Sequence, residues 1–157
     1  MLTVFWKGYK MVHFVGAGSG AADLITIRGK KLLENADIII YAGSLVNPEL
    51  LEYAKDSAEI YNSAKMNLDE VIDVMKQGDT KNIVRLHTGD PCVYGAIREQ
   101  MDRLDKLGIE YDVCPGVSSF CGAAAALKAE YTLRHNNAYG GQNSCASERK
   151  NTFARIT

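Results

Sequence analysis

Two rhythms alternate along the first 133 residues. One is a short apolar run that closes on a glycine or a turn residue: MVHFVGAG (11–18), DIIIYAG (37–43), AEIYNS (58–63), NIVRLHTGD (82–90) and IEYDVCPG (109–116). The first two, 11–18 and 37–43, read as buried strands. The other rhythm spaces apolar residues three and four apart. It predicts a helix over 26–36, with Thr26 or Asp23 placed to cap it, and one over 46–54, where Asn47 precedes Pro48. Further helices are predicted over 67–78, closing on Gly78, and over 94–108, with Ile97, Met101, Leu104 and Leu107 on one face and Gly108 as the stop. A small-residue helix follows at 118–129. Strands and helices that alternate in this way predict an α/β fold: a mostly parallel five-stranded sheet flanked by helices. No internal repeat or linker interrupts it before Leu133. In such sheets ligands bind where the loops leave the carboxyl ends of the strands.

Beyond Leu133 both rhythms stop. Over 134–157 the sizeable apolar residues are Tyr139, Phe153 and Ile156, a composition that predicts a polar, disordered C-terminal tail. The chain as a whole is 46% hydrophobic and 24% charged, enough to build one soluble domain with a core. A net charge of −1 provides no basic excess for nucleic acid or an anionic membrane. No apolar run approaches the roughly 18 residues of a spanning helix. The first residues lack the apolar core of a signal peptide, so a cytoplasmic location is expected. Four cysteines without a CxxC pair and three dispersed histidines point to no metal site. The thiols are expected to be reduced and mostly buried, and His13 and His87 to be satisfied core histidines.

Three strand-ending loops carry the candidate chemistry. GAGSGAAD (16–23) has G-x-G-x-G spacing; Ala21 stands where a dinucleotide loop would place its third glycine. The second strand ends in Ile40 and Tyr41, with no acidic partner for a ribose. A tight turn between close backbones explains this loop equally well. HTGDPCVYG (87–95) sets the Asp90 carboxylate at a strand end. Asp90 could accept hydrogen bonds from a ribose or a cationic ligand, or it could cap the next helix. CPGVSSF (114–120) offers the Ser118 and Ser119 hydroxyls and free amides at a helix start. That arrangement suits a carboxylate or phosphate, and also plain capping.

Taken together, VGAGSGAADLITIRG, LHTGDPCVYGAIREQ and CPGVSSFCGAAAAL resemble the tetrapyrrole methylases. That family pairs a glycine-rich first loop with a GDP-type loop after the fourth strand and a PG-[VI]-[ST]-[SA] loop after the fifth. YAGSLVNPELL (41–51) and AEYTL (129–133) resemble the branch that acts on precorrin-4 in cobalamin synthesis. The resemblance implies S-adenosylmethionine as methyl donor and a tetrapyrrole as acceptor, in a protein that is a homodimer at full length. It implies cofactor contacts at Thr88, Gly89 and Asp90, at Val93 through its backbone, and at Ser118 and Ser119. Ser19 falls where the family usually has proline in GAGPG, and a contact is implied there too. Methyl transfer by direct displacement needs alignment and not a nucleophilic side chain, so no catalytic residue is assigned.

The same resemblance divides the chain into an extension at 1–11, an N-terminal methylase domain at 12–133 and a non-family tail at 134–157. Met11 resembles the family start. The segment RHNNAYGGQNSCASERK can be encoded so that the frame displaced by one base reads VIITRMEGKTPVPASE, which resembles the family's continuation into its second domain. The expectation is a tail translated out of frame. Three readings stay open: an active methyltransferase, an inactive remnant that still binds the cofactor, and an unrelated α/β binding domain.

Overall fold

The computed structural model describes residues 10–132. Its strands are β1 (Val12–Gly16), β2 (Ile38–Tyr41), β3 (Glu59–Asn62), β4 (Ile83–His87) and β5 (Tyr111–Cys114). All pairings are parallel, in the order β3-β2-β4-β1-β5. β1 and β4 are buried over their full length, and the burial takes in the polar side chains His13, Arg85 and His87. α1 (Ile27–Asn35), α2 (Leu68–Met75), α3 (Ile97–Leu107) and α4 (Ser119–Leu127) supply the flanking helices.

The core has two layers. Val12, Phe14, Ile38, Ile40 and Ile83 face α2 and α3 through Ile72, Met75, Ile97 and Leu104. Val15, Ile39, Val84 and Leu86 face Leu32 and Leu33 of α1, with Leu50 beside them. Each fully buried aliphatic side chain contributes about 1.5–3 kcal/mol relative to exposure. α1 and α3 therefore lie on opposite faces. The chain leaves the adjacent strands β1 and β4 toward opposite sides of the sheet, which opens a crevice at their carboxyl ends.

Several predicted elements are adjusted. Residues Pro48–Tyr53 form a 3-10 helix, with Asn47 Oδ1 accepting from the Glu49 N–H at 3.0 Å. Thr26 caps α1, accepting from the Gly29 N–H, and Asp23 does not. α2 stops at Met75 and continues as a 3-10 turn, so Gly78 is no C-cap. A side chain at Gly78 would instead press on Val12 and Ile109. α3 begins only at Ile97, because Tyr94 and Ala96 take left-handed backbone. Gly108 ends it in the left-handed conformation, as its sequence position suggests. Leu107 is about half exposed and sits outside the buried stripe of Ile97 and Leu104. Of the described cysteines, Cys114 is buried while Cys92 and Cys121 are exposed, so the thiols are not mostly buried. No helix among the described residues is long and apolar enough to cross a membrane. Residues 1–9 and the tail over 134–157 lie outside the described residues.

Candidate functional site: the carboxyl edge of the sheet

The strand order explains why three loops distant in sequence meet. β1 lies between β4 and β5, so the loops that follow these strands leave side by side. Their junction is backbone on backbone. The Ala17 N–H donates to the His87 carbonyl at 2.7 Å. Gly18 and Gly89 form an isolated antiparallel bridge, exchanging hydrogen bonds of 3.2 and 2.8 Å. A Cβ on Gly16 would sit 2.6 Å from both the Gly116 Cα and the Gly89 carbonyl oxygen, and one on Gly116 would come closer still to that oxygen. Only glycine permits such an approach. The first loop's spacing is thus a packing requirement, and the packing brings the candidate residues together.

Asp90 locks the junction. Its Oδ1 accepts from the Cys92 N–H at 2.8 Å and its Oδ2 from the Gly116 N–H at 3.0 Å. The carboxylate does not cap α3; it ties the loop after β4 to the loop after β5. Val93 closes the same turn, donating its N–H to the Asp90 carbonyl at 3.1 Å. Gly89 is buried at φ +65°. Thr88 is exposed and donates its hydroxyl to the Leu45 carbonyl at 2.9 Å. Ser119 is exposed at the start of α4. Ser118 is buried at the N-cap position but makes no side-chain cap bond, which leaves the first amides of α4 without that partner. Ser19 is half-buried against α4, where a Cβ on Gly122 would meet its Cβ at 2.6 Å.

A fourth loop, after β2, joins the edge and was not among the three loops singled out in the sequence. Besides the Leu45 carbonyl, it provides Asn47, whose Nδ2 donates to the Gly20 carbonyl at 3.0 Å. One side chain thereby starts the 3-10 helix and holds the glycine-rich loop. The Asn-Pro pair signals the first role; nothing local in the sequence signals the second.

Beneath the loops lies a buried polar layer. Arg85 donates through Nε to Gln100 Oε1 and through Nη1 to the Ile40 carbonyl, both at 3.3 Å. Gln100 in turn donates to the Ala96 carbonyl at 3.1 Å. Burial lowers the Arg85 pKa to about 10, so the guanidinium stays charged at neutral pH. His87 is buried, and its Nε2 meets no hydrogen-bond partner among the described residues. Burial, and then the nearby Arg85 charge, push its pKa down to about 3 and keep the imidazole neutral. His13, by contrast, is satisfied: its Nδ1 lies 2.6 Å from Asp112 Oδ1.

A parallel α/β sheet with helices on both faces, whose strand-end loops meet through glycines and carry exposed hydroxyls, has the architecture of the doubly wound domains. The family is defined by comparison. The model for tetrapyrrole (corrin/porphyrin) methylases matches residues 11–152, and the chain belongs to that family. It is 61% identical over 126 residues to the cobalt-precorrin-4 C(11)-methyltransferase of Methanocaldococcus jannaschii, covering 79% of this chain and 49% of that protein. A solved cobalt precorrin-4 methyltransferase superposes with a TM-score of 0.76 at 44% identity, covering 79% of this chain and 53% of that one. The uroporphyrin-III C-methyl transferase of Thermus thermophilus, complexed with S-adenyl homocysteine, superposes at 0.63 with 29% identity, over 73% of this chain and 48% of that one. The chain spans about half the length of the curated relatives it matches.

Proposed function

We propose that this chain forms the methyl-donor half of an S-adenosylmethionine-dependent (cobalt-)precorrin-4 C11-methyltransferase of cobalamin biosynthesis. The observation that carries the reading is the junction of Gly16, Gly89 and Gly116, clamped by Asp90, at the carboxyl edge of a chain 61% identical to such an enzyme. The residues fit the cofactor. The floor of the crevice is bare backbone, and a side chain at Gly20 would meet nothing within 4 Å among the described residues. The uncapped first amides of α4 and the Ser119 hydroxyl would hold a carboxylate. Thr88, the Val93 backbone and Ser19 would border the rest.

Held there, S-adenosylmethionine would supply an electrophilic methyl group to an acceptor carbon, its sulfur keeping the S–CH3 electron pair and the acceptor giving up one proton. The chain's own task is alignment and exclusion of water. Asp90 performs it indirectly, by fixing the two loops against each other. A cytoplasmic location and a homodimer at full length belong to this reading, and the charge balance supports no nucleic-acid partner.

Calorimetric titration with S-adenosylmethionine, followed by a methyl-transfer assay on cobalt-precorrin-4, tests the proposal. Binding with turnover supports it. Binding without turnover assigns donor binding alone to these residues. A folded chain that binds nothing contradicts the proposal.

A further inference from the structure

The large apolar side chains left exposed are not spread evenly. Leu24, Leu45, Val93, Tyr94 and Phe120, half of the ten such residues among those described, sit in the loops or first helical turn at the carboxyl edge. Tyr94 is the extreme case: its side chain is fully exposed, while its backbone is left-handed at φ +57°. Ala96 is left-handed as well, and between them Gly95 has no room for a Cβ against the Pro91 carbonyl. Left-handed backbone at a bulky residue costs on the order of 1–3 kcal/mol and persists only where the surroundings impose it. Here the imposed conformation holds an aromatic ring in water, a placement that folding alone does not reward. Leu45 is 72% exposed on the neighbouring loop, which is tied to the Tyr94 loop by the Thr88 hydroxyl. Both residues stand on loops at the carboxyl edge: Tyr94 follows residues 88–90 in sequence, and Leu45 carries the carbonyl that Thr88 binds.

We propose that Tyr94 and Leu45, flanked by Val93, form the platform on which the acceptor macrocycle rests. This rests on the methyltransferase reading. Direct displacement requires the acceptor carbon to come within contact distance of the donor methyl, so the acceptor must cover the residues beside the donor cradle. A tetrapyrrole presents broad, conjugated, largely apolar faces. An exposed phenol ring with aliphatic neighbours is the matching surface: it stacks on the face and leaves the macrocycle's acidic arms outside. Tyr94 is a positioning residue in this account. It sets the height and tilt of the acceptor and takes no proton.

The test uses uroporphyrin as a planar tetrapyrrole probe, followed by fluorescence, with S-adenosylhomocysteine titrated separately by calorimetry. Tyr94→Ala should weaken uroporphyrin binding about tenfold or more and Leu45→Ser about threefold, whereas Tyr94→Phe stays within about twofold of wild type. None of the three should change S-adenosylhomocysteine affinity. Leu107→Ser, which removes an exposed apolar residue at the far end of α3, should change neither. Uroporphyrin binding that is absent in the wild type, or unmoved by Tyr94→Ala, overturns the platform while leaving donor binding standing. Loss of donor binding in the folded wild type contradicts the methyltransferase reading itself. Dimers in sedimentation that Tyr94→Ala dissociates would assign the patch to a second copy of the chain and overturn the proposal.

Discussion

The two edges of the sheet are built on opposite principles. At the amino edge, charge holds the chain together. Asp37 Oδ1 accepts from Lys55 Nζ at 2.6 Å, and its Oδ2 from the Asn82 N–H at 2.8 Å and Lys10 Nζ at 3.1 Å. Lys81 pairs with Glu59 nearby. At the carboxyl edge, backbone meets backbone through glycines, and the one carboxylate at the junction is satisfied by amides. Ion pairs between partly exposed side chains tolerate small shifts and are individually weak. Close backbone contacts tolerate no added atom. An edge that must present a shaped, uncharged trough gains from the second principle, and an edge that only has to stay closed can use the first.

The sharpest way to break this contrast is Gly116→Ala. The new Cβ collides with the Gly16 and Gly89 backbones, which cannot yield as a side chain would. The cost should exceed about 3 kcal/mol. Denaturant unfolding should show the destabilisation, and S-adenosylhomocysteine affinity should fall at least about 100-fold. Next in size is Asp90→Ala, which leaves the Cys92 and Gly116 amides without their acceptor. A loss of about 1–3 kcal/mol is expected, with roughly tenfold weaker cofactor binding.

Acid separates the edges by pH. The folded pKa of His87 is depressed to about 3, so between there and its ordinary value the unfolded chain binds the extra proton. Stability conferred by the neutral imidazole is present above about pH 6.5 and falls as the pH drops, by about 2 kcal/mol at pH 5. His87→Phe should flatten that part of the stability profile. The Asp37 carboxyl is also held below its ordinary range, first by Lys55, then by the Asn82 amide and Lys10, against a burial effect that raises it. Its contribution is present above its unfolded pKa near 3.8 and is lost only as the pH falls further. Asp37→Asn should cost about 1–2 kcal/mol at neutral pH, abolish the lower step and leave cofactor affinity unchanged. The smallest effect belongs to Gly108→Ala. Gly108 is left-handed at φ +68°, but no atom among the described residues lies within 4 Å of the added methyl. Only the conformational cost of about 1 kcal/mol should appear in thermal unfolding, with no change in binding.

The same division governs what could be read from the sequence. Two buried strands announce themselves, because β1 and β2 are largely apolar and stop at turn residues, whereas β4 is buried with Arg85 and His87 in it. The carboxyl-edge loops were legible as glycine patterns, and the Asp90 motif marked one of the loops that meet there. What Asp90 binds was not legible, since Gly116 is distant in sequence and becomes a neighbour only through the strand order. The bonds from Asn47 to the Gly20 carbonyl and from Thr88 to the Leu45 carbonyl were missed for the same reason: backbone acceptors leave no signature in residue identity. The late start of α3 was hidden because Tyr94 and Ala96, which flank the closely packed Gly95, have no local preference for the left-handed backbone they adopt. Charge at the amino edge was visible as composition but not as pairing.

The central claim, that the glycine junction is a donor cradle, is tested most directly by calorimetry with S-adenosylhomocysteine on wild type, Gly116→Ala and Asp37→Asn. Saturable one-to-one binding should appear in wild type and Asp37→Asn, and vanish in Gly116→Ala. A folded wild type that binds no S-adenosylhomocysteine, or a Gly116→Ala variant that binds it as tightly as wild type does, would contradict the account.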